Sequence, residues 1–438
     1  MKEHFRRSSR QLFSVMAWKA RAVFWVGAVL VGLVCTLFAL LSEEADHLFL
    51  QIAAISPYLP LIVTPLGLMA ITWATRNLVP GSQGSGIPQA IAALDMKSKS
   101  AVLSIKIALG KIVLTVLGLA SGASIGREGP SVHIGAAIMY TLGSLARFPA
   151  HYMERGLILA GGAAGIAAAF NTPLAGIVFA IEEMSRSFEN RTNGMVTTAV
   201  ILAGLTAMAV TGHYYYFGKS DAVLSGSLQY WLAVPVCGVI GGLLGGLFSQ
   251  SLLTGTRLLT PTAKRHPYLL AGACGLIVAI IGFATDNSVN GTGYEAAKGI
   301  ITGTDEFDPW YPIAKMGATL ASYFSGIPGG IFAPSLAAGA GVGADLGHLL
   351  PIAPLSVMIL LGMLAYFCGV VQSPLTAFII VMEMTANQEM LLALMATSLI
   401  AFGSSKLVCP EPLYQTLAKK FLGLDTGDNN KGKSNGNH

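Results

Sequence analysis

Apolar residues fall in long runs along this chain, covering 23–42, 100–122, 156–181, 231–253, 268–284 and 390–405. A helix needs roughly 20 such residues to cross a bilayer, so the pattern predicts an all-α polytopic membrane protein. Polar positions gather in two kinds of place. One is the chain ends, where Lys2, Arg6, Arg7, Arg10, Lys19 and Arg21 form a basic arm over 1–22 and Lys419, Lys420, Lys431 and Lys433 lie near the other terminus. Basic flanks stay on the cytoplasmic side, so both termini are expected there, with an even number of crossings. The first run is long and has no small-residue cleavage site, so it reads as a span and not as a leader. From Asp425 the sequence DTGDNNKGKSNGNH is polar and of low complexity, and 425–438 is expected to be a disordered cytoplasmic tail.

The other polar positions sit inside apolar sequence. SGASIGREGPSVHIGAA (121–137) carries an arginine, a glutamate, four glycines and a proline where a span would be expected. Segments with the same grammar recur. GSGIPQAIAAL (84–94) resembles GTGYEAAKGII (291–301), GREGPSVHIGAAI (126–138) resembles GIFAPSLAAGAGV (330–342), and NTPLAGIVFAIEEM (171–184) resembles QSPLTAFIIVMEM (372–384). The offsets drift slowly through 207, 204 and 201 residues. Three matches in order, at near-constant spacing, indicate a duplication, with halves of about 23–215 and 230–424 inside one membrane domain, 23–424. If each half crosses an odd number of times the halves are antiparallel, an arrangement that puts a site at mid-membrane between them.

Irregular backbone at membrane depth survives only where protein buries it or where it lines a cavity. A glycine turn followed by proline starts a new helix, whose free amides and positive dipole end then point into that cavity. Such ends attract anions without a formal charge. The breaks at 84–88, 126–130 and 330–334 are therefore expected to converge on a desolvated anion, with Ser85 adding a hydroxyl. Taken singly, each break also reads as an ordinary loop between helices. Glu128 is the odd group: ionised, its carboxylate occupies the anion's place; protonated, it leaves and carries a proton. Its other reading is a salt bridge to Arg127, although adjacent residues on a helix face apart.

Composition narrows the function further. The chain is 53% hydrophobic and 11% charged, against about 25% charged in soluble domains. The net charge of +5 comes largely from the ends, so it reports topology and not nucleic-acid binding. Five scattered cysteines read as small core residues, and eight histidines form no metal-binding cluster. The acids have no matching nucleophile–base pair, so neither an enzyme nor a metal or organic cofactor is expected.

These motifs together resemble the CLC family of chloride channels and transporters. GSGIP (84–88), GREGP (126–130) and GIFAP (330–334) are similar to its three signature segments, PLAGIVFAIEEM and SPLTAFIIVMEMT to the segments after them, and Tyr414 in EPLYQTLAKK to its pore tyrosine. The resemblance runs from about 23 to 424. It implies two inverted-topology repeats with broken and re-entrant helices, in a homodimer with one anion pathway per subunit. By the same resemblance, Ser85 and Tyr414 would bind the central chloride through hydroxyls, and Ile331 and Phe332 through backbone N–H groups. Glu128 would be the external gate, with Arg127 and Gly129 shaping its surroundings and Lys111 raising the local positive potential. Glu183 stands where proton-coupled exchangers keep an internal glutamate and channels tend to have valine. Glu182 beside it also reads as a solvated helix-end charge. Gln89 and Ile91 depart from acids found in relatives, so proton entry is expected to differ; the cytoplasmic nucleotide-binding domains of eukaryotic members are not found in this sequence. GSGIP with the inner glutamate disfavours fluoride, and serine at 85 favours chloride over nitrate. The expectation is an H⁺/Cl⁻ antiporter of the bacterial inner membrane; the alternative is a passive voltage- or pH-gated chloride channel on the same fold, from which Glu183 distinguishes it.

Overall fold

The computed structural model describes residues 15–146, 152–185, 193–212, 215–224, 228–304 and 308–434. Among them the chain forms seventeen α-helices and no strand. The first eight are α1 (Val15–Ile55), α2 (Pro60–Asn77), α3 (Ile87–Asp95), α4 (Ile105–Ala120), α5 (Glu128–Leu145), α6 (Tyr152–Phe170), α7 (Pro173–Phe179) and α8 (Asn193–Thr211). The next eight are α9 (Ala233–Arg265), α10 (Pro267–Ala284), α11 (Tyr294–Thr302), α12 (Tyr311–Phe324), α13 (Phe332–Leu349), α14 (Leu355–Val371), α15 (Pro374–Met384) and α16 (Leu391–Val408). A last helix, α17 (Leu413–Ser434), follows.

The apolar runs become these helices, and five stretches are long and apolar enough to cross a membrane by themselves: Trp18–Ile55, Lys99–Ala120, Gln229–Arg265, Pro267–Ala284 and Leu391–Val408. The run 156–181 does not stay whole. Helix α6 ends at Phe170, Asn171 turns left-handed at φ 57°, and Pro173 opens α7. The residue before a proline is pushed out of the helical region, so Thr172 breaks the span. Gln372, also at φ 57°, makes the same break between α14 and α15.

Packing repeats with the helix order. Helix α5 lies against α6 as α13 lies against α14, and α1 lies against α8 as α9 lies against α16. Helices α2 and α10, equivalent in the two halves, pack on each other. A contact between equivalents is what a two-fold relation between the halves produces. Gly135 of α5 touches the Gly161 carbonyl of α6 so closely that a Cβ on either has no room. Membrane helices use small residues in this way to approach. Large apolar side chains such as Leu37, Leu117, Ile280 and Leu399 are exposed on the outer surface, the reverse of a soluble protein and the arrangement that lipid requires.

Helix α17 continues to Ser434, into the segment whose composition predicts a disordered tail. Its start is docked, with Leu413, Tyr414, Leu417 and Ala418 buried, and once a helix is nucleated each further residue adds at little cost. Residues 1–14 of the basic arm and 435–438 of the tail lie outside the described residues.

Candidate functional site

The three glycine breaks meet. The Gly126 and Gly330 amides each donate to the other's carbonyl at 2.7 Å, a reciprocal pair between equivalent residues. The Gly84 amide donates to the Ile327 carbonyl at 3.2 Å, and the Gly329 amide to the Gly84 carbonyl at 3.3 Å. Four of the backbone amides and carbonyls that the breaks free are thus paired between Gly126 and Gly330, and Gly84 is paired with Ile327 and Gly329, as the absence of water at this depth demands. From this knot α3, α5 and α13 set out, so three positive helix ends share one small volume.

Glu128 is the first residue of α5 and has no exposed surface. Its Oε2 accepts the Ala333 N–H, in the first turn of α13, at 3.4 Å. Its Oε1 accepts the Tyr216 hydroxyl at 3.5 Å. The carboxylate therefore sits where two helix starts face each other. Arg127 donates to the Ala39 carbonyl of α1 and lays its guanidinium 5.5 Å from the Tyr216 ring centre. Gly129 abuts Ser85, and a Cβ there would lie 2.8 Å from the Ser85 carbonyl oxygen.

Ser85 and Tyr414 are both buried, and neither hydroxyl has a hydrogen-bond partner in the protein. A buried hydroxyl left without a partner costs about 1–3 kcal/mol, so each of the two is a donor open to an acceptor. They are donors, and what suits them is an acceptor that carries charge. Ile331 and Phe332 open α13 and are buried, and their amides belong to the turn that has no acceptor within its own helix. The Phe332 ring packs between Phe170 and Phe367, with centroids at 5.5 and 4.4 Å, which fixes the backbone of that turn. Lys111 of α4 is fully buried and donates to the Gly84 carbonyl at 3.0 Å, so its charge stands one residue from Ser85.

Glu183 lies in the π-helical turn Ala180–Ser185 that follows α7, and is 1% exposed. Its Oε2 accepts the Ser373 hydroxyl from the other half, and its backbone carbonyl accepts Gln415 Nε2 at 3.0 Å. Gln415 is the neighbour of Tyr414, whose hydroxyl lies in the fields of both Glu183 and Glu128. Glu182 does something else. Its two oxygens accept the Leu375 and Thr376 amides at 3.0 and 2.6 Å, capping α15. Glu383, its equivalent 201 residues on, caps α7 through the Leu174 and Ala175 amides at 3.1 and 2.8 Å. The position after Glu383 is Met384. The duplicated acid is thus a cap, and the unduplicated one, Glu183, is what the duplication alone does not explain.

A family model described as voltage gated chloride channel matches residues 66–406. The chain belongs to the CLC family. Among relatives of this CLC chain, the H(+)/Cl(-) exchange transporter ClcA of Vibrio cholerae is 29% identical over 90% of the chain and 89% of its own length. ClcA of Salmonella agona is 31% identical over 92% and 84%. The structure of a slow cyanobacterial Cl⁻/H⁺ antiporter shares the fold with a TM-score of 0.81 at 24% identity, covering 92% of this chain and 98% of that one. A CLC-type fluoride/proton antiporter does so with a TM-score of 0.78 at 23% identity, covering 92% and 99%.

The structure of this CLC chain gathers Ser85, Lys111, Glu128, Gly129, Ile331 and Phe332 around the knot, with Arg127 beside Glu128 in sequence, and buries Tyr414 next to Gln415, which bonds to Glu183. It also brings in residues that the sequence reading passes over. Tyr216, Ser373 and Gln415 have no motif of their own; each is placed by tertiary packing. Lys315 had a usable signal, lying 204 residues after Lys111, the same offset that relates Gly126 to Gly330. Gln89 bonds back to the Gln83 carbonyl at 2.7 Å and Ile91 packs in the core. Asp95 pairs at 3.5 Å with Arg155 at the exposed end of α3.

Proposed function

We propose that this protein is a proton-coupled chloride antiporter, moving Cl⁻ and H⁺ in opposite directions. The observation that carries the reading is the Glu128 carboxylate, wholly buried on the facing starts of α5 and α13, an anion of the protein's own in an anion's place. Two unit charges about 4 Å apart at an effective dielectric of about 20 repel by about 4 kcal/mol. That outweighs the roughly 0.3–2 kcal/mol a helix end contributes. Chloride and the ionised carboxylate therefore exclude each other, and chloride enters as Glu128 leaves. Taking up a proton removes the repulsion and lets the side chain swing out with that proton aboard.

In this reading Ser85 and Tyr414 donate their hydroxyls, and Ile331 and Phe332 their amides, to the central chloride. Lys111 raises the potential around it, and Arg127 and Gly129 shape the space in which Glu128 moves. Glu183 delivers the proton from the inner side. The protein works as a transporter in the bacterial inner membrane, with both termini in the cytoplasm, as a homodimer with one pathway per subunit. The ClcA relatives, named as H⁺/Cl⁻ exchange transporters, support exchange over a passive channel.

In purified, reconstituted vesicles, an outward chloride gradient is expected to drive protons inward against their own gradient. Chloride efflux with no proton movement would leave a channel in its place. Replacing Ser85 by proline removes one donor from the dehydrated anion, and relative permeation is expected to shift from chloride toward nitrate. An unchanged ratio of the two fluxes in Ser85→Pro would remove Ser85 from the ligand set.

A further inference from the structure

The duplication extends beyond the three breaks. Gly84–Ser85–Gly86 is answered by Gly291–Thr292–Gly293. The flanking glycines have positive φ in both copies, 71° and 100° in the first and 66° and 81° in the second. Each loop starts a nine-residue helix, α3 or α11. Each also has a buried lysine on its carbonyls. Lys111 Nζ donates to the Gly84 carbonyl at 3.0 Å, and Lys315 Nζ to the Gly291 and Val289 carbonyls at 2.9 and 2.8 Å. At 293 only glycine fits, since a Cβ would meet Lys315 Cε at 2.8 Å.

The two cradles differ in what they hold. The Ser85 hydroxyl has no partner in the protein. The Thr292 amide and hydroxyl both donate to Asp46 Oδ2, each at 3.2 Å. Asp46 reaches in from α1, and its second oxygen, Oδ1, is buried with no hydrogen bond. That oxygen lies against Gly291, within 2.6 Å of where a Cβ would stand. Lys315 and Arg127 both act on this carboxylate by charge. The loop opens on a cavity of about 250 Å³ whose wall includes Asp46, Thr292, Arg127 and Tyr216, together with the carboxylates of Glu43, Asp286 and Glu295. Tyr216 is the residue whose hydroxyl meets Glu128.

We propose that the Gly291–Thr292–Gly293 loop with Lys315 is a second binding site for a small monovalent anion, the mirror counterpart of the Ser85 cradle, and that Asp46 is its tethered occupant. The site has the cradle's full chemistry: a helix start, a backbone amide, a hydroxyl and a buried ammonium. Its occupant is a carboxylate on a neighbouring helix, as Glu128 is at the central knot. Because the halves are inverted, the mirrored cradle serves the membrane face opposite to the one the Ser85 cradle serves. An anion that reaches this loop from the 250 Å³ cavity competes there with Asp46.

The inference rests on the reading of Ser85 as an anion ligand, and one experiment separates the two. The full chain is crystallised in bromide and anomalous density is mapped for wild type, Asp46→Ala and Asp46→Ala/Thr292→Val. Wild type is expected to hold bromide between Ser85 and Tyr414 and none on Thr292. Asp46→Ala is expected to gain a bromide within hydrogen-bond distance of the Thr292 amide, and the double variant to lose it. Titration calorimetry with chloride should count one more anion per subunit in Asp46→Ala than in wild type. Asp46→Asn keeps the side chain's shape without its charge, guards against a folding failure, and should show the same gain at lower occupancy. Bromide at Ser85 but none at Thr292 in either Asp46 variant overturns this inference and leaves the transport reading standing. Bromide at neither cradle overturns both.

Discussion

Glu128→Gln is expected to conduct chloride and no longer to move protons. The glutamine keeps the carboxylate's size, and its carbonyl oxygen can still accept the Ala333 amide or the Tyr216 hydroxyl, the two groups that hold Glu128. It loses the negative charge, and with it the roughly 4 kcal/mol repulsion that keeps chloride out. It also loses the proton that a carboxyl carries. Chloride flux is therefore expected to persist in vesicles at wild-type order of magnitude, while proton flux driven by a chloride gradient falls to background. The measurement is simultaneous chloride-electrode and pH recording. Uphill proton movement in Glu128→Gln would end the assignment of the gate to this residue.

The second large effect belongs to Glu183. Glu183→Gln keeps the Ser373 contact, leaves Ser85, Ile331, Phe332 and Tyr414 untouched, and removes a buried acid that, unlike Glu182, is not committed to capping α15. Proton pumping is expected to vanish and anion movement to continue. Glu182→Gln is the control. Its carboxylate is committed to the Leu375 and Thr376 amides, and loss of a capping interaction costs about 0.5–2 kcal/mol. That variant is expected to be less stable and still coupled. A Glu183→Gln protein that pumps at the wild-type ratio moves the relay elsewhere and leaves exchange intact. Coupling lost in Glu182→Gln but kept in Glu183→Gln would reverse the roles of the pair.

Much of this was legible in the sequence because it is written twice. Composition announces a membrane protein, and the paired segments at offsets 207, 204 and 201 locate the breaks that converge. Periodicity does not show that 156–181 splits at Asn171, although Thr172-Pro173 and its echo Ser373-Pro374 mark the place. In the sequence only the family resemblance sets Glu183 apart from the adjacent Glu182, whose reading as a solvated helix-end charge gives way to a cap on α15. Their difference is directional, one side chain aimed at the amides of α15 and the other at Ser373, and a π-helical turn sets those directions. Tyr216 was invisible because its contact with Glu128 spans 88 residues of chain and belongs to no motif. Asp46 meets Thr292 across 246 residues, and only packing brings them together.

The reciprocal backbone pair between Gly126 and Gly330 limits how the molecule can cycle. Rocking one half past the other would strip partners from two amides and two carbonyls in a buried place. Each group left bare costs about 1–3 kcal/mol, so the four together consume much of the roughly 5–15 kcal/mol that holds a folded domain. Rotating the Glu128 side chain breaks long contacts to Ala333 and Tyr216, at 3.4 and 3.5 Å, and no buried backbone pair between the halves. In the proposed antiport, access to the two membrane faces is therefore expected to alternate by rotamer changes inside a stationary frame. Temperature and crowding should act on the turnover of this protein through proton transfer and side-chain motion, with no viscosity dependence of the kind a swinging domain imposes.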